Sequence, residues 1–318
     1  MNKVIDEGNY PMLHVNVSKT KKMRWIDIPR FSNAEMEMLS EEFSFSPLDL
    51  KSCFPPIQRP KIAIYPEYTF LILQFPIYNR ETRRIEPVEI DFFIGSNYLI
   101  TIHDNRHPTI IEFFDQCQRD LQARTNHMSE SIPSLLYELL NRLLLSTYPM
   151  LNHVSLDIDA VEGNILSDDH RDNVISEILI LKRNIVNFRK IMQAHKYVIQ
   201  KLIESSTLPP THKFRTYFEG LIDHTKEIWD TLANYQDTVN AMHDAHASLI
   251  NTRSNLAMRV LTAFAVIVFP LTLIATIFSM RTEYIPLTNH PAGFWYIVSG
   301  MAMVGIFMFI FFKRRKWL

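Results

Sequence analysis

His243, Asp244 and His246 are the side chains whose types and spacing most directly suggest metal chemistry. A carboxylate and two imidazoles at one- and three-residue spacing on a helix can hold a divalent ion, and imidazole favours zinc, cobalt or nickel over magnesium. The competing reading is an interface histidine, because His246 also falls on an apolar stripe. Asp157, Asp159, Glu162, Asp168, Asp169 and Asp172 form a second acidic set. They read either as a solvated face with helix N-terminal charge or as a collar that concentrates cations. Cys53 and Cys117 stand in no zinc or Cys-x-x-Cys spacing, and so read as reduced core residues of a cytoplasmic domain. The chain has no nucleophile-and-base constellation, no metal-protease helix and no glycine-rich phosphate loop after a strand, so no enzyme and no covalently bound cofactor are expected. A formal charge of −1 leaves no footprint for nucleic acid.

The elements that must carry these residues end in a membrane hairpin. Two uncharged apolar runs, 260–280 and 294–312, are followed at once by Lys313, Arg314, Arg315 and Lys316. A hydrocarbon core of about 30 Å needs roughly 20 helical residues, and both runs reach that length. Two spans return the chain to the side it left. The basic tail, with Arg253 and Arg259, places both termini in the cytoplasm, while the loop 281–293 carries only Arg281, Glu283 and His290. The polar start, residues 1–11, is unlike a cleaved secretion signal. Only 7 glycines occur in 318 residues, which points to long helices, since glycine weakens helix interiors.

Residues 1–130 read as a cytoplasmic α/β domain. Strand-like runs at 68–75 and 90–94 are broken by prolines and turn residues, and Gly95-Ser96 is a tight hairpin leading to 98–103. Ser32 and Glu35 fit a capping box, and Ser46-Pro47 fits an N-cap with proline at the first helical position. Residues 131–210 read as an antiparallel pair of long helices: one over 132–166 kinked by Pro149, a turn at Ser167-Asp168-Asp169, and a second from 171 to about 203. After Pro209-Pro210, residues 211–259 read as a stalk helix. Phe214, Phe218, Leu221, Thr225, Ile228, Leu232, Tyr235, Val239, Met242, His246, Leu249, Arg253 and Leu256 recur at spacings of four and three, a heptad stripe that packs on other helices. No proline interrupts 211–268, so the stalk runs into the first span, 260–280, as one helix of roughly 100 Å. The loop 281–293, the second span 294–312 and the basic tail 313–318 complete the order.

The first span ends Val268-Phe269-Pro270-Leu271-Thr272, continues to Phe278-Ser279-Met280-Arg281, and is followed by Glu283-Tyr284-Ile285-Pro286; the chain closes on Lys316-Trp317-Leu318. This resembles the CorA family of divalent-metal transporters, whose first span carries a Phe-Pro-Leu-Thr-like segment leading to Tyr-Gly-Met-Asn. The resemblance is dense over 244–318 and diffuse before it. It implies a CorA-like homopentamer in a bacterial-type inner membrane, with stalk helices and first spans around a central pore and second spans outside. It places Asn255, Met258, Leu261, Phe269 and Thr272 on the pore: a polar ring, an apolar stretch able to close by dewetting, and a hydroxyl ring. It also matches Asp244 to a carboxylate of an intersubunit cytoplasmic metal site that favours the closed state. The expected partners are therefore other copies of the chain, the lipid bilayer and metal ions, with magnesium or a transition metal as cargo or gating ligand.

The outer-mouth signature departs from the family. Ser279-Met280-Arg281 stands where Gly-Met-Asn is expected. By the resemblance, the asparagine of that signature accepts hydrated magnesium through its amide oxygen, whereas arginine has five donors and no acceptor. The expected function is passive divalent-cation transport with cytoplasmic gating. The same architecture with altered selectivity, including for anions, and a non-conducting scaffold or sensor remain open beside it.

Overall fold

The computed structural model describes residues 14–20, 22–128, 130–166, 173–205, 212–280 and 292–315. It divides into two compact units, Met1–Met242 and His243–Leu318. In the first unit, strands β1 (Asn16–Lys19), β2 (Arg24–Ile28), β3 (Lys61–Ile64), β4 (Thr69–Asn79), β5 (Arg84–Ile94) and β6 (Tyr98–His103) form one sheet in the order β1-β2-β6-β5-β4-β3. All neighbours are antiparallel except β2 and β6. Alternation along the strands builds two cores. Leu71, Leu73 and Phe75 face one side with Trp25, Ile90 and Phe92. Phe70 and Ile72 face the other with Ile26, Phe93 and Ile100.

Helices α1 (Asn33–Glu42) and α2 (Pro47–Ser52) precede β3, and Leu39 and Leu50 join the second core. The Ser32–Glu35 capping box forms in full, and Ser46 accepts from the Leu48 amide with Pro47 in the first turn. Both starts are therefore set by local chemistry. The first core is closed by α3 (Pro108–Arg119), α4 (Leu121–Met128), α5 (Ile132–Leu145), α6 (Thr147–Leu166), α7 (Val174–Met192) and α8 (His195–Ile203).

The hairpin between β5 and β6 forms, but on the three-residue loop Gly95-Ser96-Asn97 and not on the pair Gly95-Ser96 alone, and the Gly95 amide donates to the Tyr98 carbonyl at 3.0 Å. A methyl group at position 95 would meet the Tyr98 ring at 2.3 Å, and that ring is packed against Phe43. Gly95→Ala is therefore expected to lower stability by about 1–2 kcal/mol through displacement of the ring, read as a fall in melting temperature.

Three further expectations change. The single helix over 132–166 is two, divided at Ser146, and Pro149 lies in the first turn of α6. Proline opposes the carbonyl four residues before it, here Leu145, which is where α5 ends. The helix from 171 to about 203 is also two, divided at Gln193-Ala194. The end of α6 (Ala160, Val161, Asn164) does lie beside the start of α7 (Asn173, Val174, Glu177), the antiparallel pairing expected. Strands β4 and β5 run longer than read, because Pro76 and Pro87 sit opposite each other in the ladder and do not end it. The turn at 167–169 and Pro209-Pro210 lie outside the described residues.

Two buried histidines flank Phe75. His195 is 0% exposed with its ring edge-on to Phe75 at 5.1 Å, and His107 lies at 5.9 Å. Neither nitrogen of His195 has a well-formed hydrogen bond, although the carbonyls of Met192 and Ile191 lie near enough to favour its charged form slightly. Burial lowers both imidazoles to about 4. Cys53 and Cys117 are buried and unbridged, and burial raises both thiols, as expected of inert core cysteines.

Helix α9 (His212–Ser279) is continuous and contains Pro270, as the absence of earlier prolines permits. Within the first unit its stripe is covered: Phe218, Leu221, Ile228, Leu232 and Val239 are fully buried, and Met242 nearly so. Helix α10 (Gly293–Arg314) follows. Both helices are long and apolar enough to cross a membrane, and almost none of either apolar window is buried, unlike the core helix of a soluble protein.

Candidate functional site

In the second unit the surface of α9 sorts by angle. Ala263, Ile267, Leu271, Ile274 and Phe278 are wholly or partly covered, at spacings of three to four residues. On α10 the covered residues are Gly293, Ile297, Met301, Gly305, Met308 and Phe312, again one helical stripe. The seam is close where glycine allows it: a methyl group added at Gly305 would lie 3.6 Å from Leu271 Cδ1. This is the small-residue packing that holds helices together without a hydrophobic driving force.

Asn255, Met258, Leu261, Phe269 and Thr272 all lie away from that seam. At about 100° per residue they fall within roughly 120° of arc, on the far side of the helix from Ala263. All five are exposed, Met258 by 61% and Phe269 by 74%. The sequence reading missed two hydroxyls on the same arc, Thr262 and Thr276. Like Thr272, each donates its proton to a carbonyl of its own helix: Thr262 to Met258 at 2.8 Å, Thr272 to Val268 at 2.9 Å and Thr276 to Leu273 at 2.9 Å. Their oxygens keep lone pairs that can face water or a cation. Helical spacing from Thr272 was the signal that would have found Thr276.

Phe278 lies on the α10 seam, Ser279 closes α9 and Met280 is exposed, while Arg281 and Glu283 are outside the described residues. Lys313 and Arg314 occupy the last turn of α10, where cations suit the helix dipole, and Arg315 is its C-cap; Lys316 is outside. His243 and Asp244 are exposed and His246 is partly so. Among the described residues no three His, Cys, Asp or Glu side chains converge on a common point. Of the acidic set, Asp157, Asp159 and Glu162 are exposed on α6, and the others lie outside the described residues.

The family model described as CorA-like Mg2+ transporter protein matches residues 20–314. The chain is 27% identical over 298 residues to the cobalt/magnesium transport protein CorA of Thermotoga maritima, covering 92% of this chain and 83% of the relative. It is 26% identical over 300 residues to the protein of the same name from Methanocaldococcus jannaschii, covering 93% and 92%. The complete structure of the CorA magnesium transporter from Methanocaldococcus jannaschii superposes with a TM-score of 0.81, covering 93% of this chain and 92% of that one, at 26% identity. By the extent of the family match, which takes in the α/β unit, the long helix and both apolar helices, this chain belongs to the CorA family.

Proposed function

We propose that this chain assembles as a homopentamer in a bacterial-type inner membrane and passes divalent cations, magnesium or a transition metal, down their electrochemical gradient. Both termini lie in the cytoplasm. Residues 211–259 form the stalk, 260–280 and 294–312 cross the bilayer, and the arc Asn255, Met258, Leu261, Phe269 and Thr272 surrounds the passage. The observation that carries this reading is the division of α9 into a face covered by α10 and an opposite, uncovered face bearing those residues. A ring of α10 helices outside a ring of α9 helices uses both faces. The named relatives favour divalent cations over the anion and scaffold readings.

Gating is assigned to the cytoplasmic end of the same helix, where His243, Asp244 and His246 hold a divalent ion between subunits and favour closure. Proteoliposomes loaded with a magnesium indicator provide the test. Flux driven by a divalent gradient is expected; reversal at the chloride potential would transfer the case to anions, and no flux under either gradient would leave a scaffold. Asp244→Ala is expected to raise the internal metal concentration needed for half-inhibition by about tenfold, the usual scale for losing one ligand or its support. An unchanged response removes these residues from regulation.

A further inference from the structure

An opening of about 590 Å³ in the α/β unit is lined by Phe31, Cys53, Glu89, Asp91, Ile102 and Asp104, among others. Glu89 and Asp91 lie two residues apart on β5 and so point to one face of the sheet. Asp91 is only 2% exposed, and its Oδ1 has no hydrogen-bond donor. The Cys53 thiol, which lines the same opening, donates to the Asp49 carbonyl at 3.4 Å. Glu89 is half-buried and accepts the Gln58 amide through Oε2. Burial first, then the neighbouring Glu89, holds the Asp91 carboxyl well above the usual carboxylate range, and burial raises Glu89 to about 7. An acceptor buried without a donor is costly, and a second carboxylate beside it raises the cost unless a cation enters.

The neighbouring side chains do not meet that need. Lys61 gives its ammonium to Ser52 Oγ at 3.0 Å, to Asp49 at 3.7 Å and to the face of Phe70 at 5.0 Å. Arg106 is tied to Asp104 at 2.5 Å and to Glu86 at 3.7 Å. His103 has both nitrogens engaged, Nε2 with Asp27 at 3.1 Å and Nδ1 with the Asn105 amide at 3.0 Å. The opening therefore offers carboxylate oxygens at Asp91, Glu89 and Asp104, with His14 an exposed imidazole and Arg30 an exposed cation of its lining. That donor set suits a hard cation, and magnesium characteristically keeps several waters while taking one or two carboxylates. Two acids and the ion's own water make such a site without a third protein ligand.

We propose that Glu89 and Asp91 bind a partly hydrated magnesium ion within each α/β unit, at a site distinct from Asp244. The ion neutralises the pair and draws the segment bearing Gln58 against β5. Manganese serves as the probe, because the free ion is counted directly by electron paramagnetic resonance. With the full-length protein in detergent, the Glu89→Gln/Asp91→Asn double variant is expected to bind one fewer Mn2+ per protomer at saturation. Asp244→Ala is expected to retain that ion, and excess Mg2+ to displace it. Wild-type stoichiometry in the double variant, or loss of the same ion in Asp244→Ala, overturns the proposal and leaves water as the occupant. Both changes preserve shape. Should the double variant not fold, Glu89→Gln alone is expected to weaken this Mn2+ at least tenfold, and unchanged binding there is equally decisive against the site.

Discussion

Replacing Arg281 with asparagine is expected to raise the initial rate of divalent-cation uptake by roughly 100-fold, the largest effect anticipated for any single change in this chain. A doubly charged ion about 6 Å from one guanidinium is repelled by about 1.4 kcal/mol even at the dielectric constant of water. In the proposed pentamer five symmetry-related copies sum to about 7 kcal/mol, and screening over a Debye length of about 8 Å brings this to about 3 kcal/mol. At about 1.4 kcal/mol per factor of ten, the barrier accounts for about two decades of rate. Asparagine also supplies the amide oxygen that arginine lacks. Arg281→Lys keeps the charge and is expected to keep the slow rate. Uptake into proteoliposomes by all three proteins, at matched insertion, decides the matter: equal rates for Arg281→Asn and wild type would mean that the guanidinium points away from the passage.

The second large effect is on stability in acid. His107 and His195 are neutral in the folded protein because burial holds their pKa values near 4, below the usual 6.5. Between those values the unfolded chain binds more protons than the folded one, so stability falls as pH falls from about 6.5 to about 4. Each ring loses about 1.4 kcal/mol per pH unit, or about 3 kcal/mol over the window. Glu89 and Asp91 act in the opposite sense. Their folded pKa values are raised, so stability tied to them is lost as pH rises and regained as they are protonated. The clean measurement is therefore a difference between proteins. His195→Leu is expected to lose about 2–3 kcal/mol less than wild type between pH 7 and pH 4.5, seen as a smaller drop in melting temperature. The same acid loss in both would exclude His195 as its source.

What could be read from the residues alone follows from how local the governing physics is. The capping box at Ser32, the cap at Ser46 and the membrane length of 294–312 each depend on a few neighbouring residues, and each was legible. The continuity of α9 was legible because a heptad stripe runs through a stretch with no proline before Pro270. The break at Gln193-Ala194 was not, since neither residue is a helix breaker; it coincides with the burial of His195 against Phe75, a contact between residues far apart in sequence. Pro76 and Pro87 misled for a related reason. A proline ends a strand only where its missing amide was needed, and two prolines facing each other across a ladder satisfy that condition together. At the candidate passage, the face of α9 was placed by family resemblance, whereas the seam opposite it, with Gly305 against Leu271, required the second helix to be in position.

The covering of α9 stops at Met242, yet Leu249, Ile250, Leu256 and Met258 continue bare toward the first span. Those side chains lie before the hydrocarbon begins, in a stretch that water would otherwise reach. A solitary copy is thus an unfinished object, hydrophobic where it should be wet. In the homopentamer proposed above, folding of this segment and recruitment of neighbours are a single event, so its order depends on how many copies the membrane holds as well as on its own amino acids.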